Sequence, residues 1–259
     1  MAKLTVNDLQ QMKVRGEKIR GLICYDNQLA QIADQAGADI ISVGDSLGRY
    51  VLGHQTHHEV TVDHMVLFCG AVARGVKRAV VNCDMPFGPP QAGPAAARDA
   101  AIRLVKEGHA DMIKIDGAAK NLDVVEALVR AGIPVFTQFG FSPQSTLSIG
   151  DQHGRTEEML EAARPGILED AKRLEAAGAS LLDVTHVTTE IYAEISAAVS
   201  IPVLGGGAGP EADGRIGGLF YRAAAIGQGG SASSATAAFM LETAKRLVEE
   251  TKSKAPRAS

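Results

Sequence analysis

The sequence is poor in cysteine and has no block of positive charge. Cys24, Cys69 and Cys83 are its only three cysteines in 259 residues, and none are in Cys-x-x-Cys spacing. A disulfide framework is not expected; reduced thiols of a cytoplasmic protein are. The formal net charge is −4, which argues against nucleic acid as the main partner. No apolar run approaches the ~20 residues a membrane helix needs. Met1 to Arg20 is polar and lacks an apolar core, so no signal peptide is expected. There is also no linker of biased composition and no low-complexity block. A single domain over residues 1–259 is expected, with a short N-terminal helix and a frayed C-terminal tail. A hydrophobic fraction of 46% and 28 glycines allow a sizeable core and plentiful turns.

Along the chain, apolar runs alternate with helical patterns. Val6, Leu9 and Met12 repeat at helical spacing in an opening helix. Strand-like runs follow at Gly21–Asp26, Asp39–Ser46, Ala79–Asp84, Met112–Asp116, Pro134–Gln138, Leu181–His186 and Ile201–Leu204, with a weak eighth between Arg215 and Ala225. Between them, helices are expected over Asn27–Ala36, from Thr61 or Asp63 to Gly75, and over Pro94–Gly108, Asn121–Ala131, Glu157–Ala177 and Thr189–Val199, with a closing one over Thr236–Thr251. A longer loop joins Gly140 to Thr156. Strands such as Ile40-Ile41-Ser42-Val43 are apolar on both faces, as buried parallel strands are. Eight βα units in about 250 residues match a (β/α)8 TIM barrel, an α/β fold. A doubly wound open sheet is the alternative.

In such a barrel, active groups come from the carboxyl ends of the strands. Those ends carry Asp26, Asp45, Asp84, Asp116 and Thr185-His186. An acid there is costly unless a cation or a hydrogen-bond network compensates it. Several acids at one mouth cannot all stay ionised without a cation. Oxygen ligands without clustered Cys or His favour a hard ion such as Mg2+. For Asp26, a helix N-cap is an equal reading. Lys114 precedes Asp116 by two residues, so both face one side of the strand. It suits an anionic substrate such as a carboxylate, or a buried ion pair with one of the acids. Gly205-Gly206-Gly207-Ala208-Gly209 forms either a phosphate cradle or a tight turn, and it is no Walker or Rossmann fingerprint. His54, His57, His58 and His64 read mostly as surface or capping residues.

The chain resembles the ketopantoate hydroxymethyltransferase family. The resemblance rests on Tyr25-Asp26, Val43-Gly44-Asp45-Ser46-Leu47-Gly48, Gly53-His54, Val60-Thr61-Val62, Asp84-Met85-Pro86-Phe87, Ile113-Lys114-Ile115-Asp116-Gly117 and Ser142-Pro143-Gln144-Ser145. It continues through Leu174–Ala179 and from Ile201 to Gly209. It implies a barrel of the phosphoenolpyruvate mutase and isocitrate lyase type. It implies Mg2+ held at Asp45 and Asp84, with Asp116 completing the site, and a 2-oxoacid held by Ser46, Lys114 and Gln138 along with Asp45 and Asp84. It also implies 5,10-methylenetetrahydrofolate as one-carbon donor, a role in pantothenate biosynthesis, and a cytoplasmic homo-oligomer, typically a decamer.

The sequence departs from the family at the mouth. Thr185 stands where the family has its general base, a Glu. Gln138 stands for a His and Asp116 for a Glu, and the match weakens beyond Gly209. Asp183 shares the face of Thr185 and lies ~6.6 Å deeper along the strand. Asp183, His186 or a water are the candidates for the base role beside Thr185. Three readings follow from these residues. They are the family reaction, a folate-independent metal-dependent aldolase or lyase on another 2-oxoacid, and a non-catalytic 2-oxoacid-binding paralogue.

Overall fold

The computed structural model of the protein describes residues 2–150 and 156–218 together with Glu242, Lys245 and Arg246. Met1–Gly217 forms one compact unit and Gly218–Ser259 a second. All described strands lie in the first. The chain runs α1 (Val6–Val14), β1 (Ile19–Ile23), α2 (Asn27–Gln35), β2 (Ile40–Val43), the short α3 (Leu47–Tyr50), α4 (Val62–Ala73), β3 (Val80–Asp84), α5 (Pro94–Lys106), β4 (Met112–Asp116), α6 (Leu122–Arg130), β5 (Val135–Gly140), the short α7 (Thr146–Ile149), α8 (Glu157–Ala176), β6 (Leu181–Thr185), α9 (Thr189–Ala198), β7 (Val203–Leu204) and β8 (Gly214–Gly217). Most helix starts are set by caps: the side chains of Thr5, Asp26, Thr61, Thr156 and Thr188 each accept from a first-turn amide. Asp26 is therefore the cap of α2, bonded to the Leu29 amide at 2.8 Å.

The sheet order is β7-β6-β5-β4-β3-β2-β1-β8, and the strand pairs are parallel. A doubly wound sheet reverses its order at a switch point; here the order is sequential and β8 returns beside β1. The Asp213 amide, one residue before β8, donates to the Val203 carbonyl of β7 at 3.0 Å. The ring is thus nearly closed, and the fold is a (β/α)8 barrel.

Each strand contributes one side chain to an apolar plug at one end of the barrel: Ile19, Ile40, Val80, Met112, Phe136, Leu181, Leu204 and Ile216, packed with Leu9 of α1. Val6 and Met12 of the same helix pack against the cluster, so its helical spacing closes the floor of the barrel. Lys13 anchors α1 by donating to the carbonyls of Ser196, Val199 and Ile201 and pairing with Asp213 at 2.9 Å.

Several boundaries differ from those the sequence suggests. β1 begins at Ile19 rather than Gly21, and β5 runs on to Gly140. β8 is Gly214–Gly217, ahead of most of the Arg215–Ala225 stretch. At Gly214 a Cβ would meet the Ile19 carbonyl at 2.3 Å, so glycine is required there and the usual strand composition is lost. The Gly140–Thr156 loop holds a 3-10 turn at Pro143–Ser145 and α7. The closing helix expected over Thr236–Thr251 and the tail after it lie outside the described residues, apart from the three named above.

Leu9→Ala is expected to lower stability by about 2–5 kcal/mol, because Leu9 is fully buried in the plug and its loss leaves a cavity. A urea titration should show a lower midpoint at unchanged slope. All three cysteines are buried, and burial pushes the Cys24 thiol up to about 12. A disulfide colour reagent should therefore report essentially no reactive thiol in the native protein and three on denaturation.

Candidate active site

Opposite the plug, the carboxyl ends of the strands bury an unusual concentration of charge. Asp45, Asp84, Lys114, Asp116 and Asp183 are each 8% exposed or less. Lys114 is the hub. Its ammonium lies 3.2 Å from Asp84 Oδ2 and 3.2 Å from Asp183 Oδ2, and 5.8 Å from the centroid of the Phe136 ring. The ion-pair reading of Lys114 is thus realised, with two acids rather than one, and Asp183 faces inward with it. Asn82 extends the layer, its amide donating to Ser42 Oγ at 2.8 Å and to Asp84 Oδ1 at 3.2 Å.

Burial and crowding set the proton affinities. Burial raises Asp84, and the nearby Asp45 and Asp183 carboxylates add to it against the pull of Lys114. Burial lifts Asp116 to about 6, opposed by hydrogen bonds from Ser142 and the Gln144 amide. Burial also raises Asp183, partly countered by Lys114. For Lys114 burial acts downward, but the carboxylates of Asp84, Asp183 and Asp45 outweigh it and the ammonium is held charged.

A second layer of contacts ties the loops over the strand ends. Asp45 Oδ1 stands 3.2 Å from His57 Nδ1, and Asp45 Oδ2 accepts from Gln144 Nε2 at 2.8 Å. Burial opposes ionisation of Asp45, yet these two partners and Lys114 bring its pKa below the usual value. Gln144 also donates through Nε2 to the Met85 carbonyl at 3.0 Å and through its backbone amide to Asp116 Oδ2 at 2.9 Å. Its own carbonyl lies 3.1 Å from His58 Nε2, and the His58 ring meets the Phe87 ring edge-on at 4.8 Å. Tyr25 and Ser46 share a hydroxyl hydrogen bond of 2.9 Å. Gly44 allows this closeness: a Cβ there would lie 2.8 Å from Ser46 Oγ and 3.5 Å from Asp84 Oδ2.

Across the mouth, Thr185 is half-buried, and its hydroxyl donates to the Phe139 carbonyl of β5 at 2.8 Å. His186 leaves the strand in the left-handed region at φ +54°. Gln138 is buried on β5, in register with Asp116 on one side and Asp183 on the other. In the glycine run after β7, Gly205 is close-packed, since a Cβ there would strike the Tyr192 hydroxyl and the Val184 carbonyl, whereas Gly207 has open space around it. His64 sits in the capping box of α4 with Thr61. Sequence reasoning missed His57 and His58, whose neighbours in the chain gave a surface or capping reading. Gln144 and Ser142 lay inside the Ser-Pro-Gln-Ser motif, but nothing local assigned them to Asp45 and Asp116.

The donor chemistry at this end is oxygen-rich. Asp116 Oδ1, Asn82 Oδ1 and Gln144 Oε1 are buried oxygens with no hydrogen-bond partner, as are the ring nitrogens His54 Nδ1 and His58 Nδ1; oxygens of this kind suit a hard cation. Among the described residues, no group of three His, Cys, Asp or Glu side chains is spaced to hold a metal by itself.

Residues 3–219 match the ketopantoate hydroxymethyltransferase family. The chain is 39% identical over 216 residues to 3-methyl-2-oxobutanoate hydroxymethyltransferase of Salinibacter ruber, covering 83% of this chain and 81% of that protein. It is 42% identical over 216 residues to the protein of that name from Thermobifida fusca, covering 83% and 76%. Among solved structures, 2,3-dimethylmalate lyase of the PEP mutase/isocitrate lyase superfamily superposes with a TM-score of 0.63 at 18% identity, over 96% of this chain and 89% of that one. Phosphonopyruvate hydrolase does so with a TM-score of 0.61 at 14% identity, over 98% and 100%. At such identities the likeness is one of fold, a (β/α)8 barrel. Sequence identity carries more, and on it the chain belongs to the ketopantoate hydroxymethyltransferase family, as an enzyme of the hydroxymethyltransferase kind.

Proposed function

We propose that the chain transfers a hydroxymethyl group to 3-methyl-2-oxobutanoate in pantothenate biosynthesis, with 5,10-methylenetetrahydrofolate as donor and Mg2+ as cofactor. The observation that carries this reading is the gathering of Asp45, Ser46, Asp84 and Lys114 in one buried mouth. These are the positions that the family resemblance assigns to the metal and the 2-oxoacid.

Asp45 and Asp84 would hold the cation, with Asp116 behind Gln144 completing its surroundings. Two carboxylates suit Mg2+, which keeps much of its shell for water and substrate rather than sitting in an all-protein cage. When bound, the ion supplies the positive charge that a 2-oxoacid and the oxyanion developing on it require. Lys114 adds a fixed ammonium at the same end, and the Tyr25–Ser46 hydroxyl pair offers donors to the substrate carboxylate. Gln138 lies on the same wall.

The proton next to the carbonyl needs an acceptor. Thr185 is neutral and spends its hydroxyl on Phe139. Asp183 is a buried carboxylate whose affinity for a proton is raised and whose ion pair with Lys114 fixes its position. It takes the base role in this reading. The occupied Thr185 hydroxyl also supports a second reading, in which the same mouth serves a folate-independent aldolase or lyase acting on another 2-oxoacid. The reading also carries a cytoplasmic homo-oligomer, decameric as in the family, on the resemblance alone.

Proton exchange separates these readings. With Mg2+ and 3-methyl-2-oxobutanoate in deuterated water, the wild type should exchange the proton next to the carbonyl, and should form product when the folate donor is added. Asp183→Asn should slow exchange by about 100-fold or more while 2-oxoacid binding persists. Asp45→Asn and Asp84→Asn should remove its dependence on Mg2+, and calorimetry should show Mg2+ binding lost. Exchange with other 2-oxoacids only would point to the second reading. Exchange with none, or exchange indifferent to Asp45 and Asp84, sinks the proposal.

A further inference from the structure

His54, His57, His58 and His64 lie close together in the chain, and the fold gives each a different neighbour. His54 packs against Gly48, where a Cβ would stand 3.2 Å from its Nδ1. His58 turns Nε2 to the Gln144 carbonyl and its ring to Phe87. His64 Nδ1 accepts from the Thr61 amide at the start of α4, at 3.3 Å. His57 is the one set against a strand-end acid. Its Nδ1 is 3.2 Å from Asp45 Oδ1, and the two side chains are only 15% and 9% exposed.

The turn that carries His57 is built without help from Asp45. Glu59 Oε1 accepts from the amides of Gln55 and Thr56 at 3.0 and 2.8 Å, and from Thr56 Oγ1 at 3.0 Å. These bonds close the 3-10 turn His57–Glu59. Val60 is buried directly after it, and Gly48 makes room, since a Cβ there would strike the Val60 side chain. Through His58 and Gln144 the turn is fastened to the Pro143–Ser145 turn across the mouth. The imidazole is thus delivered to Asp45 by a frame held from both sides. The 3.2 Å between the two atoms is also the separation of two donors that share one ion. With bonds of about 2.1 Å, a right angle puts them ~3.0 Å apart and a tetrahedral angle ~3.4 Å. With the ring proton on Nε2, the Nδ1 lone pair faces that point.

We propose that His57 Nδ1 and Asp45 together hold a borderline divalent ion such as Co2+, Ni2+ or Zn2+, through a nitrogen bond that Mg2+ does not use. This inference rests on the reading above that Asp45 is a metal ligand, and it makes His57 the residue that ranks one metal over another. Imidazole suits the borderline ions, whereas Mg2+ keeps to carboxylate, carbonyl and water oxygens. Gln144 stands beside the same acid, with Nε2 2.8 Å from Asp45 Oδ2 and with Oε1 buried and unpartnered. Among the described residues, no three His, Cys, Asp or Glu side chains are spaced to hold a metal by themselves. Most other positions of the ion therefore fall to substrate oxygens and water, which leaves it open to a chelating 2-oxoacid.

Calorimetry with Co2+ and with Mg2+, and proton NMR of the Co2+-loaded protein, test this on the full-length chain. Wild type with Co2+ should show a strongly shifted exchangeable resonance, the Nε2 proton of a metal-bound imidazole, which vanishes in deuterated water. His57→Gln keeps a donor for Asp45, so thermal unfolding of the metal-free protein should change little. Its Mg2+ affinity should stay within about twofold of wild type, since Mg2+ takes oxygen ligands. Its Co2+ affinity should fall by about tenfold or more, and the shifted resonance should be lost. Suppose instead that Co2+ binds wild type but not Asp45→Asn, and that the resonance is absent or survives in His57→Gln. His57 is then no ligand, and the inference is overturned while the metal reading stands. Equal weakening of Co2+ and Mg2+ in His57→Gln overturns it in the same way. If neither ion binds, or binding is indifferent to Asp45→Asn, the metal reading itself fails and this inference with it.

Discussion

Lys114 is the charge on which the mouth depends. Asp84 and Asp183 each approach its ammonium to 3.2 Å, and both are buried. Two carboxylates at such range in a dry environment repel each other strongly, and burial alone favours their protonated forms. One ammonium between them offsets much of that cost. Removing it would leave the acids buried without a counter-charge, a loss of several kcal/mol for a broken buried pair. The apolar plug beneath makes the charge balance more exacting, because Phe136 belongs both to that plug and to the surroundings of the Lys114 ammonium.

Lys114 cannot neutralise everything at this end of the barrel. Asp45 and Asp116 are buried too, and they are joined through Gln144, which bonds Asp45 by its side chain and Asp116 by its backbone. The same residue reaches the Met85 carbonyl. Three separate motifs, those of Asp45-Ser46, Asp84-Met85 and Pro143-Gln144, therefore meet in one hydrogen-bond network. Such a network fixes the carboxylates in space, and its remaining unpartnered oxygens, on Asp116, Asn82 and Gln144, are the kind that a hard cation satisfies.

The barrel was legible because its strands are buried on both faces and read as continuous apolar runs between helices with clear caps. β4 was legible in full, since Met112–Asp116 is apolar but for Lys114 and ends in an acid followed by glycine. β8 was not, because close approach to Ile19 demands glycine and removes the β-branched residues that mark a strand. At the site, the strand-end acids and Lys114 could be found from position alone, since alternation along a strand determines which side chains share a face. His57 and Gln144 could not: each meets Asp45 from a loop, and loop geometry depends on contacts across the fold, with 99 residues separating Gln144 from Asp45. Asp26 shows the converse. It ends an apolar run like the other acids, yet it caps the helix that follows.

On the proposed reading, a departure at Thr185 would take its meaning from Asp183. Moving an acid from the exit of β6 to a position two residues earlier sends it ~6.6 Å deeper along the strand, out of the rim and into contact with Lys114. A carboxylate at the rim would be a solvated acid of ordinary strength. At Asp183 it is desolvated, its proton affinity is raised and its orientation is held by an ion pair. Both changes favour a general base, whose efficiency grows as its pKa approaches the working pH. The same ion pair opposes the role, because Lys114 stabilises the carboxylate form and must share its charge with Asp84. The balance is set by what shares Asp84. A cation held at Asp45 and Asp84 would take over part of the charge that Lys114 now neutralises, leaving the ammonium more fully to Asp183 and to an incoming carboxylate. On the proposed reading, metal binding and base strength would be coupled through one lysine.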